Sequence, residues 1–106
     1  MLLEITAERT ETPEWLEALL NHVGDCAVAC EGLSGRYAVG FTLTDDEGIW
    51  EINRAQRGID RPTDVLSFPT VSYPKGKTAR DVPGRLRREL DPEIGGVYLG
   101  DIIISL

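Results

Sequence analysis

Histidine occurs once in this chain, at position 22, and cysteine twice, at 26 and 30. Two thiols cannot build a disulfide framework or a four-thiolate zinc site, and a lone imidazole cannot fix a zinc ion that takes three or four protein donors. No His-Glu-x-x-His pair exists for a metalloprotease, and no glycine-rich loop leads into Lys-Ser/Thr. The longest apolar runs last four or five residues, far short of the ~20 that span a bilayer. The first ten residues carry Glu4 and Glu8 where a secretory leader needs a basic flank and a longer apolar block. These absences point to a reduced, cytoplasmic protein without a membrane partner.

Basic residues are scarce in the first half. Residues 1–53 hold two, Arg9 and Arg36, against eleven acidic ones, a net of −9 within a chain total of −7. Residues 54–106 hold nine basic against seven acidic, a net of +2. Six of the nine (Lys75, Lys77, Arg80, Arg85, Arg87 and Arg88) share one stretch with Asp81 as the only acid among them. Salt screens charges beyond about 8–10 Å, so a polyanion responds to that local field and not to the sum. An acidic bulk with a basic segment is compatible with RNA. What remains is ordinary: 106 residues, 42% apolar and 27% charged, the composition and size of one small globular domain.

Hydrophobic alternation predicts strands over Met1–Ala7 and Tyr37–Leu43; Val65–Phe68 reads as a short strand ended by Pro69, and Val97–Ser105 as a largely apolar one. Thr12-Pro13-Glu14 reads as a helix start, with Trp15, Leu19, Val23, Cys26 and Cys30 as its buried stripe and Gly24 as a possible break. Cys26 and Cys30 read as small core fillers, and Trp15 and Trp50 as side chains packed on the sheet. Thr44-Asp45-Asp46-Glu47 reads as a capping box opening a second helix that stops at Gly58. Positions 70–96, rich in proline and holding the basic cluster, read as a long mobile loop. The order is strand, helix, strand, helix, strand, loop, strand. That is an α/β layout, a small four-stranded sheet for which two helices are too few to cover both faces.

Several side chains have two readings each. Arg57, at the end of the second helix, offers a planar fork for two phosphate oxygens, or serves as a cation at the helix C-terminus. Arg54 and Arg61 flank it and, with the loop bases Lys75, Lys77, Arg85, Arg87 and Arg88, form a set suited to RNA phosphates. No aromatic lies between Lys75 and Arg88, so that loop would grip without reading sequence. Asp60 and Asp64 either cap amides in the turn or position a water or an arginine. The hydroxyls of Thr63 and Ser67 can reach phosphate. Asp101 interrupts an apolar strand and needs either a partner, with Arg57 one candidate, or a place facing water.

Three stretches together carry a resemblance: Leu43-Thr44-Asp45-Asp46, the run Ile52-Asn53-Arg54 through Arg57-Gly58-Ile59-Asp60-Arg61-Pro62-Thr63-Asp64-Val65-Leu66-Ser67-Phe68-Pro69, and Leu99-Gly100-Asp101-Ile102-Ile103-Ile104-Ser105. The chain resembles the YbeY family of rRNA maturation factors, metal-dependent endoribonucleases, over essentially its whole length. The resemblance implies an α+β fold, a small mixed sheet with helices packed on it and a cleft at one end. It implies hydrolysis of single-stranded RNA, serving 16S rRNA 3′-end maturation, ribosome biogenesis and quality control. Partners would be single-stranded rRNA and the small ribosomal subunit, not DNA. Arg57 matches the arginine of the family's R-G-x-D signature and inherits a place in the active cleft.

The implied cofactor is zinc, held in the family by three histidines in a motif resembling H-G-x-L-H-L-x-G-Y-D-H that follows the last strand. Here the chain stops at Leu106, and His22 matches no family ligand. The expectation is therefore a single but incomplete domain over residues 1–106, with the basic loop 70–96 inside it. Its C-terminal helices and metal ligands would be absent, and it would hold no zinc tightly. The alternatives are a non-catalytic RNA- or ribosome-binding module and an inactive fragment.

Overall fold

A computed structural model describes residues 1–33, 35–73, 75–78, 81, 89–93 and 95–106. The elements are β1 (Leu2–Ala7), α1 (Leu16–Cys30), β2 (Tyr37–Thr44), α2 (Asp46–Arg57), β3 (Val65–Pro69), β4 (Leu90–Asp91) and β5 (Gly96–Ser105). They form one mixed sheet in the order β1-β2-β5-β3, with β4 paired beside the start of β5. β1, β2 and β5 run parallel, while β3 and β4 run antiparallel to β5. The fold is α+β, as the resemblance implies, with the strands and helices in the order read from the sequence. No helix among the described residues is long and apolar enough to cross a membrane.

The four predicted strands are present, and β4 is an addition inside the stretch read as loop. A two-residue strand has no periodicity to see. Leu90 and Asp91 join the sheet because Val97 and Gly96 offer an edge, with Gly95 N–H bonding the Asp91 carbonyl at 2.8 Å to close the hairpin. The described start of that stretch is also held. Thr70 N–H bonds the Leu99 carbonyl at 3.0 Å, and Val71 is buried against Tyr37 and Val97.

α1 departs most from expectation. It begins at Leu16 with Trp15 as its N-cap and no side-chain cap. Thr12-Pro13-Glu14 forms the preceding turn, in which Leu16 N–H bonds the Pro13 carbonyl at 3.1 Å. The stripe predicted to be buried faces solvent: Trp15 is 60% exposed, Leu19 47% and Val23 55%, and both cysteines are exposed. Leu16 is buried instead, and Leu20 and Val28 turn inward with it. α1 is apolar over a wide arc, so two stripes satisfy a 3.6-residue period equally well. Packing against β1 decides between them. Gly24 does not break the helix; a Cβ there would stand 2.9 Å from Met1 Cγ, so the missing side chain admits the N-terminal residue.

Residues paired across the ladder share a face. Ile5, Phe41 and Ile102 lie in one row, and α1 stands over that face, leaving an apolar cleft of about 610 Å³ lined by Leu3, Leu20, Val39, Phe41, Leu99 and Ile102. Glu4, Gly40, Asp101 and Phe68 form a row on the opposite face. The register of β2 against β5 slips between Ala38 and Val39. Gly100 makes the slip possible with φ of 146°, and a Cβ on it would stand 2.5 Å from the Phe68 carbonyl oxygen. α2 packs against β5 and β3 through Ile49, which is fully buried, and Asn53.

Candidate nucleic-acid interface

The start of α2 fixes how its far end is aimed. Its cap is Asp45, not Thr44: the Asp45 carboxylate accepts from Gly48 N–H at 2.8 Å. Thr44 is still part of β2, paired with Ser105 and 2% exposed, and its carbonyl accepts from Leu106 N–H at 2.9 Å. A residue held in a ladder cannot also turn to cap a helix. Glu47 does not return to the cap either. It meets Arg9, whose guanidinium lies 2.5 Å from Glu47 Oε2 and 3.0 Å from Asp45 Oδ1. The Gly48 hydrogen bond, and then Arg9, hold the Asp45 carboxyl below its ordinary range, while Arg9 is held above its own by Asp45 first and Glu47 next.

At the other end α2 stops on Gly58, whose φ of 67° turns the chain out of the helix, with its N–H bonding the Arg54 carbonyl at 3.1 Å. Two side chains hold the turn that follows. Asn53 Nδ2 donates to the Arg61 carbonyl at 2.8 Å, and Trp50 Nε1 donates to Asp60 Oδ1 at 2.9 Å. Arg54 stacks its guanidinium 4.7 Å from the centre of the Trp50 ring. Trp50, expected to pack on the sheet, is half-buried with the Arg54 guanidinium over its ring. The side chains of Arg57 and Arg61 are exposed and make no hydrogen bond or ion pair among the described residues. Thr63 Oγ1 donates to Asp64 Oδ1 at 3.4 Å, and the Asp64 carbonyl receives Ser105 N–H at 2.9 Å.

One stretch of chain therefore brings together Arg54, Arg57, Asp60, Arg61, Thr63 and Asp64. Three guanidinium groups around a tethered turn can hold the oxygens of successive phosphates, and Asp60, itself exposed, accepts from the indole on which Arg54 stacks. Asn53 is the contributor that sequence reading missed. It is 2% exposed, and its Oδ1 has no partner among the described residues. The signal was present: Asn53 lies one turn after Ile49, on the buried stripe, where a polar side chain needs a reason.

Asp101 is not joined to Arg57. Its Oδ1 accepts a short hydrogen bond from the Tyr98 hydroxyl, and both groups stand over Gly40. Hydrogen bonding to Asp101, then burial, pushes Tyr98 up to about 12. Ser67 is exposed on β3. Lys75 and Lys77 are exposed on the segment after β3, with Lys77 at the mouth of the apolar cleft below α1. Arg80, Arg85, Arg87 and Arg88 lie outside the described residues. No group of three or more His, Cys, Asp or Glu side chains among the described residues could hold a metal ion. His22 Nε2 and Cys26 Sγ, 3.7 Å apart on α1, offer two donors. The described residues do not fit the three-histidine zinc cage of the resemblance, and no catalytic step is derived through zinc.

The family model described as Endoribonuclease YbeY matches residues 3–106. The chain belongs to the YbeY family. A relative named Endoribonuclease YbeY from Clostridium kluyveri is 35% identical over 107 positions, covering 100% of this chain and 65% of the relative. One of the same name from Moorella thermoacetica is 43% identical over 93 positions, covering 88% and 53%. A third, from Agathobacter rectalis, is 50% identical over 68 positions, covering 64% and 41%. The chain thus spans 41–65% of the length of these curated relatives.

Proposed function

We propose that this YbeY chain grips single-stranded RNA at the turn after α2 and supplies the phosphate-orienting part of a metal-dependent endoribonuclease of rRNA processing. The reading extends to 16S rRNA 3′-end maturation on the small ribosomal subunit, to ribosome biogenesis and quality control, and to a cytoplasmic place of action. Zinc is the ion the resemblance implies, and its donors are not among the described residues. One observation carries the reading: Arg57 is exposed on a rigid helix stop and unengaged among the described residues, beside an Arg54 already stacked on Trp50.

Arg57 is the proposed catalytic group. Its N–H fork donates to two non-bridging phosphate oxygens, holds the phosphodiester in place, and offsets the charge that builds on the pentavalent transition state. Arg54, Arg61 and the Thr63 hydroxyl contact neighbouring phosphates, and Lys75 and Lys77 extend the field. Asp60 and Asp64 act through Trp50 and the strand end, as positioning groups.

The test is a fluorescence-anisotropy titration of labelled single-stranded RNA alongside a cleavage assay. Arg57→Ala should weaken binding by about tenfold or more, the value of a lost charge-assisted contact. Unchanged binding and cleavage would remove Arg57 from the site. Binding without cleavage by the intact chain would support the second reading, a non-catalytic RNA- or ribosome-binding module.

A further inference from the structure

α2 presents an aromatic surface beside its arginines. Trp50 and Arg54 stand one turn apart on a shared helix face, and the Arg54 guanidinium lies 4.7 Å from the centre of the indole ring. The ring is tied at its edge, where Nε1 donates to Asp60 Oδ1 at 2.9 Å. Trp50 is half-buried and Arg54 exposed, so the guanidinium has the ring on one side and solvent on the other. The Arg54 side chain makes no hydrogen bond or ion pair among the described residues. Its N–H groups lie in the guanidinium plane and are free to meet an anion, while its outer face is free to meet a flat partner.

We propose that Arg54, seated on Trp50, is a stacking platform for one base of single-stranded RNA. The proposal rests on the RNA reading of the turn after α2 and adds to it a contact with a base. Unstacked RNA bases settle on aromatic rings and on arginine planes, and here the two kinds of surface are layered together. A solitary surface arginine must give up side-chain freedom to receive a base. Arg54 is already placed by the indole, and its cation–π contact persists when the base arrives. Arg57 follows three residues later, a neighbour on the helix surface at about 5–6 Å between Cβ atoms. One nucleotide thus meets two groups, its base the Arg54 face and its phosphate the Arg57 fork. Stacking needs an uncovered base face, which a duplex withholds, so the contact favours single strands. Every base has such a face, so the contact carries little sequence preference.

Two labelled probes of equal length are titrated against the whole chain by fluorescence anisotropy. One is a short oligoadenylate, the other its abasic counterpart, with the same phosphates and no bases. Wild type should bind the oligoadenylate about tenfold more tightly, the value of one stacked base. Arg54→Lys keeps the charge and removes the plane; it should bring the two affinities together and leave the abasic affinity in place. Arg57→Ala should weaken both probes alike and preserve their ratio. Position 54 is exposed, and far-ultraviolet circular dichroism checks that each variant is folded. A wild-type chain that binds both probes equally overturns the stack and leaves the RNA reading standing. A ratio that survives Arg54→Lys also overturns it, because the bases are then held elsewhere. A chain that binds neither probe overturns the RNA reading together with the stack.

Discussion

Tyr98 and Asp101 share one proton bridge across an interruption in β5, the tyrosine hydroxyl donating to the carboxylate above a glycine that leaves them room. Residues three apart on a regular strand point to opposite faces. The register slip at Leu99 and Gly100 puts these two on the same side. The polar residue in an apolar strand is accommodated by its own strand, with no partner drawn from α2.

A spectrophotometric titration should therefore find one of the three tyrosines ionising near 12. Asp101→Asn should bring that midpoint down toward 10, since the carboxylate is the largest cause of the shift. The sign for stability follows. The folded value is raised, so the contribution is fully present below about 10 and is lost as pH climbs through 12. A titration in which all three tyrosines ionise together near 10 would contradict the pairing.

Gly40→Ala attacks the same pair from below. The new methyl would stand 2.5 Å from the Tyr98 hydroxyl oxygen and 2.6 Å from Asp101 Oδ1. Urea melts should show a loss of about 1–3 kcal/mol, the usual cost of overpacking, and the raised tyrosine midpoint should fall with it.

The cap of α2 gives a pH-dependent prediction. Asp45→Ala should lower Tm at neutral pH, whereas Asp45→Asn should retain much of the cap, because asparagine can still accept from Gly48 N–H. The folded carboxyl lies below its ordinary value. Its contribution is present above about 4 and disappears as pH falls through the depressed value, so the gap between wild type and Asp45→Ala should narrow in acid. A gap that widened in acid would count against Asp45.

Asn53→Leu separates anchoring from stability. The variant loses the bond to the Arg61 carbonyl and also removes an amide oxygen without a partner among the described residues. Replacing a half-satisfied polar group by an apolar one of similar size should leave global stability within about 1 kcal/mol. Amide exchange at Gly58–Arg61 should nevertheless quicken. Unaltered exchange there would mean that Asn53 does not hold the turn.

Salt dependence addresses the RNA reading without a cleavage assay. On a log–log plot of affinity against salt, single strands contribute about 0.7 of slope per neutralised phosphate. Arg57→Ala should reduce the slope by about that amount, and Ser67→Ala should leave it unchanged.

Much of this was legible in the sequence, and the exceptions have physical causes. β1, β2 and β3 alternate in sequence, β5 stands out as a largely apolar run, and α2 has a single apolar stripe with a glycine stop. α1 was misjudged because Trp15-Leu19-Val23 and Leu16-Leu20-Val28 repeat alike, and only the contact with β1 and Met1 distinguishes them. Thr44 reads as a cap in the sequence because ladder membership is a non-local fact. The grouping of Arg54, Arg57 and Arg61 is local along the chain and could be read directly, whereas the partners of Asn53 and Asp101 depend on a turn and a bulge. Lys77 at the cleft mouth follows from the course of the segment after β3, which no spacing reveals.

β5 follows β2 and β3 in the chain and yet lies between them in the sheet. A nascent chain that has emerged only to Gly95 can pair β1 with β2, but β3 has no described neighbour until residues 96–105 arrive. The described sheet therefore closes only once residues 96–105 have been made, through contacts of long sequence separation that form slowly. A chain interrupted before residue 96 would leave β3 without its described neighbour, an open edge and a ready target for aggregation and proteolysis.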